Sequence, residues 1–349
     1  MTVRLLGQRP LQRILVRGVN WIGDAVMTTP ALAALRYHYP QAEIVMLANP
    51  LVAQLFTCHP CVDRVMVYDK KGLHHGLAGF WRMACELRAQ RFDAAVLLQN
   101  AIEAALLVVV AGIPCRAGYT TDGRRLLLNY PVPVTAADKR LHHTDYYLQL
   151  LAQLGIEGGD GQLCLACDAQ EQQWAADVLR SDNVIAINPG AAYGSAKRWL
   201  PERFALVADT LSKRYDAHIV VTGGPGEMAI SRDIAAAMQC HPINMVGQTS
   251  VRQMMALLAH SRLLVTNDSG PMHVASAFAI PIVAVFGPTD HTTTCPASNN
   301  VKIVRKQTDC APCMLRQCPT DHRCMTAITA ADVISAACEL LDDELDDGA

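Results

Sequence analysis

Short apolar runs rich in β-branched residues alternate with longer stretches whose apolar positions recur every three to four residues, and the alternation begins near Arg13. In the N-terminal half the runs at 14–17, 44–47, 65–68 and 94–98 have the length and composition of strands. Between and after them, 28–39, 81–90 and 101–110 carry helical spacing. Such strand–helix–strand units build a parallel sheet with helices on its faces. A helix at 143–154 closes this half, and the stretch 157–183, which opens with Gly158, Gly159 and Gly161, reads as a linker. The plan then repeats, with strands at 184–187, 218–222, 263–266 and 282–285 and helices at 201–214, 227–238, 251–260 and 272–279. The expected fold class is α/β: two Rossmann-like, doubly wound domains over 1–156 and 184–341, facing a central cleft at the carboxyl ends of their strands. Residues before Arg13 are expected to form a loose arm, and 342–349 an acidic, solvated tail.

A chain of 349 residues suits two cores rather than one. Its apolar stretches, such as 104–113, fall short of the roughly 20 residues that cross a bilayer, and the N-terminus lacks the pattern of a secretory signal. A cytosolic protein is therefore expected. Charge is uneven: residues 1–156 carry a net +6 and the remainder −8. A basic N-terminal half suits an anionic partner or a membrane surface, whereas a pI near 6.6 without dense Lys/Arg clusters argues against nucleic acid. Thirteen cysteines in such a chain point to reduced thiols or a metal site.

The chemistry concentrates at two strand-to-helix turns. The strand at 263–266 runs into Asn267-Asp268-Ser269-Gly270-Pro271-Met272-His273, and a small-residue helix follows. A helix N-terminus offers unpaired N–H groups and a partial positive charge, which together make a seat for a diphosphate. Near the other end of the chain, Asn20-Trp21-Ile22-Gly23-Asp24 puts a carboxylate at the corresponding point. Neither half has Gly-x-Gly-x-x-Gly after its first strand, and there is no Gly-x-x-x-x-Gly-Lys-Ser/Thr. Nicotinamide dehydrogenases and P-loop ATPases are thereby disfavoured.

The ordered set Ile22-Gly23-Asp24-x4-Thr29-Pro30-Ala31-Leu32, Asn188-Pro189-Gly190-Ala191, Lys197-Arg198-Trp199, Gly223-Gly224-Pro225-Gly226-Glu227 and Asn267 to His273 resembles the ADP-heptose:lipopolysaccharide heptosyltransferases, from about Arg13 to Leu341. The resemblance implies a GT-B fold that binds acceptor mainly through the N-terminal domain and ADP-heptose through the C-terminal one. It implies inverting transfer of L-glycero-D-manno-heptose to heptosyl-Kdo2-lipid A at the cytoplasmic leaflet of the inner membrane, without a cofactor, a metal or nucleic acid. Asp24 then matches the general base, its alternative being a helix cap. Lys197 matches a lysine on the donor phosphates, with Arg198 on the surface. Glu227 is expected on the ribose or as a first-turn acid favouring the helix dipole, Asp268 on heptose hydroxyls or as a helix cap, and the N–H groups of Ser269, Gly270, Met272 and His273 on the phosphates, the His273 side chain being otherwise a satisfied helix histidine. Thr222 and residues 245–247 are expected to wall the adenine. Arg116, Arg124, Arg125, Lys139 and Arg140 are the candidate acceptor-binding cations. The alternatives are an enzyme of the same fold with another donor or acceptor, a heptosyltransferase adding the first or a later heptose, a sugar-nucleotide epimerase, and a non-catalytic or metal-regulated binding protein. Cys310, Cys313, Cys318 and Cys324, with His322 among them, suit packing, a facultative disulfide or a closed zinc site.

Overall fold

The structure, a computed structural model, describes residues 5–347. The chain divides into two units, Met1–Ala166 and Cys167–Ala349. Unit 1 holds β1 (Arg13–Arg17), β2 (Glu43–Ala48), β3 (Arg64–Val67), β4 (Ala94–Leu97), β5 (Cys115–Tyr119) and β6 (Tyr130–Val132) in the order β3-β2-β1-β4-β5-β6. Unit 2 holds β7 (Val184–Asn188), β8 (His218–Val221), β9 (Ile243–Asn244), β10 (Leu263–Asn267), β11 (Ile282–Val285) and β12 (Val301–Val304), ordered β12-β11-β10-β7-β8-β9. Every neighbouring pair is parallel, and each sheet has the doubly wound order in which the winding reverses beside the first strand.

The central strands are covered on both faces, so they read as unbroken apolar runs: β4, β7 and β10 are buried throughout. Their side chains join helix residues in two cores, one around Leu15, Leu47, Leu87, Leu97 and Val108, the other around Ile187, Trp199, Phe204, Leu211 and Val265. Trp199 is the largest fully buried side chain; its indole donates to Ile328 O at 3.1 Å, and its ring meets Phe204 edge-on at 5.0 Å.

Three expectations change. Among the described residues before Arg13, Leu6–Gln8 form a turn of 3-10 helix, not a loose arm; residues 1–4 lie outside the described residues. Leu6 is fully buried and its carbonyl accepts from the Tyr39 hydroxyl at 2.9 Å, while Gly7 N–H donates to Leu154 O at 3.0 Å. Residues 157–162 are exposed, as a linker would be, but from Leu163 the stretch 157–183 is held against its neighbours. Cys164 N–H donates to Thr29 Oγ1 at 3.1 Å, and the Ala169–Leu179 helix, opened by an Asp168/Glu171 capping box, is tied to unit 2 by the Glu171–Arg252 ion pair. The acidic run at 342–347 continues the Ala330–Asp347 helix, where Asp342 accepts from Arg214 at 2.9 Å and Tyr215 at 2.7 Å; 348–349 lie outside the described residues.

A side chain at Gly7 would place its Cβ 2.0 Å from Gly155 O, a backbone atom that cannot swing away. Gly7→Ala is therefore expected to lower stability by about 1–3 kcal/mol, read as a fall in the denaturation midpoint. An unchanged midpoint would mean that the arm is not docked in solution.

Candidate active site

In unit 1 the winding reverses between β1 and β4, so the turns leaving their carboxyl ends diverge there. The turn after β1 is held by Gly18 N–H on Leu47 O at 3.0 Å and by Asn49 Nδ2 on Asn20 O at 2.9 Å. Beneath it Arg17, fully buried, donates to Gly18 O at 2.8 Å and Leu47 O at 3.1 Å, and burial pulls its pKa down to about 10. The chain then enters the Ile22–Met27 helix with Asp24 in the first turn. Trp21 is the N-cap and no side chain caps this helix, so Asp24 does not serve as one. Its Oδ1 instead lies 3.3 Å from His143 Nδ1, at the start of the His143–Gln153 helix, and its side chain stays 31% exposed. One turn on, the Tyr147 pKa is raised, by burial first and by the charge of Asp24 second. A half-exposed carboxylate steered by an imidazole can take a proton from a hydroxyl brought to its free oxygen. In the sequence His143 is marked only as a helix start, because 119 residues separate it from Asp24.

The candidate acceptor cations divide into two kinds. Arg124 is fully buried: its guanidinium donates to Tyr119 O at 2.8 Å, Asn100 Oδ1 at 3.0 Å and Gln99 O, and burial lowers its pKa to about 10. Arg116 donates to Leu127 O at 2.9 Å and Ile113 O at 2.8 Å. Both clasp backbone carbonyls at sheet and loop ends and are structural, which corrects the expectation drawn from charge. Arg125, Lys139 and Arg140 are exposed.

In unit 2 the corresponding reversal lies between β7 and β10. Asn267, fully buried at the end of β10, accepts from Trp199 N–H at 3.1 Å and donates to Pro189 O at 2.7 Å, so one amide fixes both arms of the loop after β7. Asn188 bonds Thr222 O at 3.0 Å and accepts from the Ser269 hydroxyl at 3.2 Å. Ser269 is the N-cap of the Gly270–Ala277 helix, but its hydroxyl is spent on Asn188 and Thr266, leaving the helix without a side-chain cap. Within that first turn, Met272 N–H already donates to Ser269 O at 3.2 Å, which removes it from the amides expected on a phosphate. His273 is buried in the same helix.

Asp268 does not cap the helix. Its Oδ2 takes Lys197 Nζ and Thr289 Oγ1, each at 2.5 Å, with the lysine and aspartate side chains only 13% and 6% exposed. The ammonium also sits 5.0 Å from the Tyr193 ring centroid. Lys197 is thus anchored, not a solvated loop lysine. Glu227 packs on the backbone of Gly190, where a Cβ would meet Oε1 at 1.8 Å, and accepts from Gly224 N–H at 2.7 Å. Burial raises its pKa, opposed by the Gly224 amide, the Arg198 charge and the Ala191 amide. Arg198, expected on the surface, is half-buried beside that carboxylate, and its Nε is buried without a hydrogen-bond partner. Thr222 is fully buried, and Met245 and Gly247 bond back to Val221 O and Gly223 O at 2.9 Å each.

The cysteine-rich segment embraces the Lys197 loop. Arg316 O accepts from Ala196 N–H at 3.1 Å, His322 Nε2 lies 2.6 Å from Ala196 O, and the Tyr193 hydroxyl donates to Met314 O at 2.9 Å. Gly194 is required there, since a Cβ would stand 2.1 Å from Arg316 O. Cys310, Cys313, Cys318 and Cys324 are free thiols. Among the described residues no three His, Cys, Asp or Glu side chains are grouped to hold a metal ion.

Two doubly wound α/β units of this kind are also the architecture of solved GT-B glycosyltransferases. Residues 80–323 match glycosyltransferase family 9 (heptosyltransferase). The chain is 31% identical to lipopolysaccharide heptosyltransferase 2 of Escherichia coli K12, over 84% of this chain and 88% of that one. Among solved structures it is similar to a family 9 glycosyltransferase of Veillonella parvula, with TM-score 0.85, 27% identity and coverage of 95% and 98%. It is also similar to the ADP-heptose lipopolysaccharide heptosyltransferase II of E. coli, with TM-score 0.80, 27% identity and coverage of 95% and 99%. The chain belongs to glycosyltransferase family 9, the heptosyltransferases. It is a glycosyltransferase of the GT-B class.

Two outcomes follow from the placement of charge. Because the folded-state pKa of Glu227 is raised, its ionised form destabilises the fold as pH climbs past its ordinary carboxylate range, and the penalty vanishes below that range. Glu227→Gln should then raise the thermal midpoint at pH 7.5 and lose that advantage toward pH 4; a midpoint shift independent of pH would contradict the burial. Arg124→Ala strands several buried acceptors and should cost about 3 kcal/mol or more, whereas Arg125→Ala should leave the denaturation midpoint within about 0.5 kcal/mol of the parent.

Proposed function

We propose that this enzyme transfers L-glycero-D-manno-heptose from ADP-heptose to heptosyl-Kdo2-lipid A of the lipopolysaccharide inner core, with inversion, working in the cytoplasm in peripheral contact with the inner membrane. The observation that carries the reading is Asp24: a first-turn carboxylate with no capping duty, held by His143 and partly exposed to solvent. The E. coli relative's name supplies the donor and substrate class.

In this reading the acceptor hydroxyl oxygen attacks the anomeric carbon, its proton passes to Asp24, and the bond to the β-phosphate breaks with its electron pair leaving on ADP. His143 is a positioning residue that fixes the carboxylate. An ammonium has three donors, so Lys197 can keep Asp268 and still bind the diphosphate, offsetting charge that grows as ADP departs. Asp268, held from two sides, presents its remaining oxygen to heptose hydroxyls. Amides at the uncapped start of the Gly270–Ala277 helix meet the phosphates, and Glu227 accepts the ribose hydroxyls.

The test is ADP release from ADP-heptose with and without heptosyl-Kdo2-lipid A. Release should depend on acceptor and fall about 100-fold or more in Asp24→Ala while donor affinity holds. His143→Ala should lose less, roughly tenfold in kcat, with KM for donor unchanged. Acceptor-independent release, or full activity in Asp24→Ala, would overturn the assignment.

A further inference from the structure

Fifteen large apolar side chains are exposed among the described residues, and eleven of them belong to unit 1. Several crowd one region. The Gly76–Gln90 helix buries Gly79, Met83, Ala84 and Leu87 and turns Leu77 (82% exposed) and Trp81 (57%) outward, one turn apart, with Leu73 (62%) in the turn before. The Ile102–Val110 helix packs beside it, tied by Arg88 Nη2 to Val110 O at 2.7 Å, and turns Ile102 and Leu106 outward with the same spacing. Both outward stripes stay open to solvent, with the Trp81 ring edge-on to the neighbouring Phe80 at 6.4 Å.

The charges around it are one-sided. Between 64 and 127 the exposed cations are Lys70, Lys71, Arg82, Arg88, Arg91 and Arg125, against one exposed acid, Asp122. The nearby acids are already engaged: Glu103 by Lys70 at 2.6 Å and the Tyr68 hydroxyl at 2.9 Å, Asp122 by Ile102 N–H at 2.8 Å, and Asp69 by the amides of Lys71 and Gly72. Lys71 and Arg82 stay exposed at the rim.

We propose that this face of unit 1, with Leu73, Leu77, Trp81, Ile102 and Leu106 at its centre and Lys71 and Arg82 at its rim, seats the enzyme on an anionic lipid surface. Apolar side chains enter the acyl boundary, the indole lies at headgroup depth and the cations meet lipid phosphates. No helix among the described residues is long and apolar enough to cross a membrane. A second copy suits the face poorly, because two-fold pairing sets the same cations against each other. The inference rests on the membrane-bound acceptor of the proposed function, and it names the surface that meets the bilayer.

The experiment is co-sedimentation of the full chain with vesicles of phosphatidylcholine alone or mixed with phosphatidylglycerol, neither carrying any saccharide. The protein should pellet with the anionic vesicles and be released by salt. Leu77→Ser/Trp81→Ser and Lys71→Glu/Arg82→Glu should each weaken partitioning about tenfold or more, while turnover of a deacylated, water-soluble acceptor stays at the parent level. Quenching of tryptophan emission by brominated lipid in the parent, lost in Trp81→Phe, reports the same contact without a destabilising change. Equal pelleting of parent and variants, or no preference for anionic vesicles, overturns the proposal. So does a shift from dimer to monomer in the variants, which makes the face a self-interface. Heptose transfer to the soluble acceptor is scored apart, so failure on vesicles leaves the enzymatic reading standing and failure of turnover does not mask membrane binding.

Discussion

One side-chain amide organises the candidate site of unit 2. Asn267 is fully buried at the end of β10 and spends its oxygen on Trp199 N–H and its nitrogen on Pro189 O. The loop from Pro189 to Trp199, which carries Lys197, is therefore pinned at both ends to the strand that carries Asp268. A buried amide left with any of these groups unpaired would cost about 1–3 kcal/mol for each, so the loop has one low-energy placement. The Lys197–Asp268 pair, the Glu227 seat on Gly190 and the clasp of the cysteine-rich segment on Ala196 all depend on it.

Several charged groups of the two candidate sites lie beside a partner before any substrate arrives. Lys197 rests on Asp268, Arg198 lies beside Glu227, and Asp24 on His143. Pairing limits the desolvation cost of half-buried charges, and it sets each group's direction in advance. The exposure differs: Asp24 stays partly open to solvent, as its proposed role as base requires, whereas Lys197 and Asp268 are nearly enclosed. Enclosure strengthens an interaction with a diphosphate because less water competes for the ammonium.

Most of the architecture was legible because central parallel strands, buried on both faces, must be apolar throughout. The runs at 14–17, 44–47, 94–98, 184–187, 263–266 and 282–285 all fall within a residue or two of β1, β2, β4, β7, β10 and β11. The four strands that the sequence did not mark, β5, β6, β9 and β12, lie at or next to a sheet edge: Cys115–Tyr119 and Tyr130–Val132 contain Arg, Gly and Pro, and Ile243–Asn244 is two residues long. The docked arm escaped notice because its contacts, with Tyr39 and Leu154, are with residues far along the chain.

The sequence by itself determined the doubly wound plan, the two strand-to-helix turns and the family, since each is written in local periodicity or in a contiguous motif. Tertiary structure alone decided what those residues touch. It paired Asp24 with His143 across 119 residues and Lys197 with Asp268, and it turned Arg124 from a surface cation into a buried clasp on carbonyls. It also gathered apolar side chains from two separate helices into one exposed face. The physical reason is the same in each case: net charge and hydropathy are properties of a residue, but burial and pairing are properties of the neighbours that the fold brings to it.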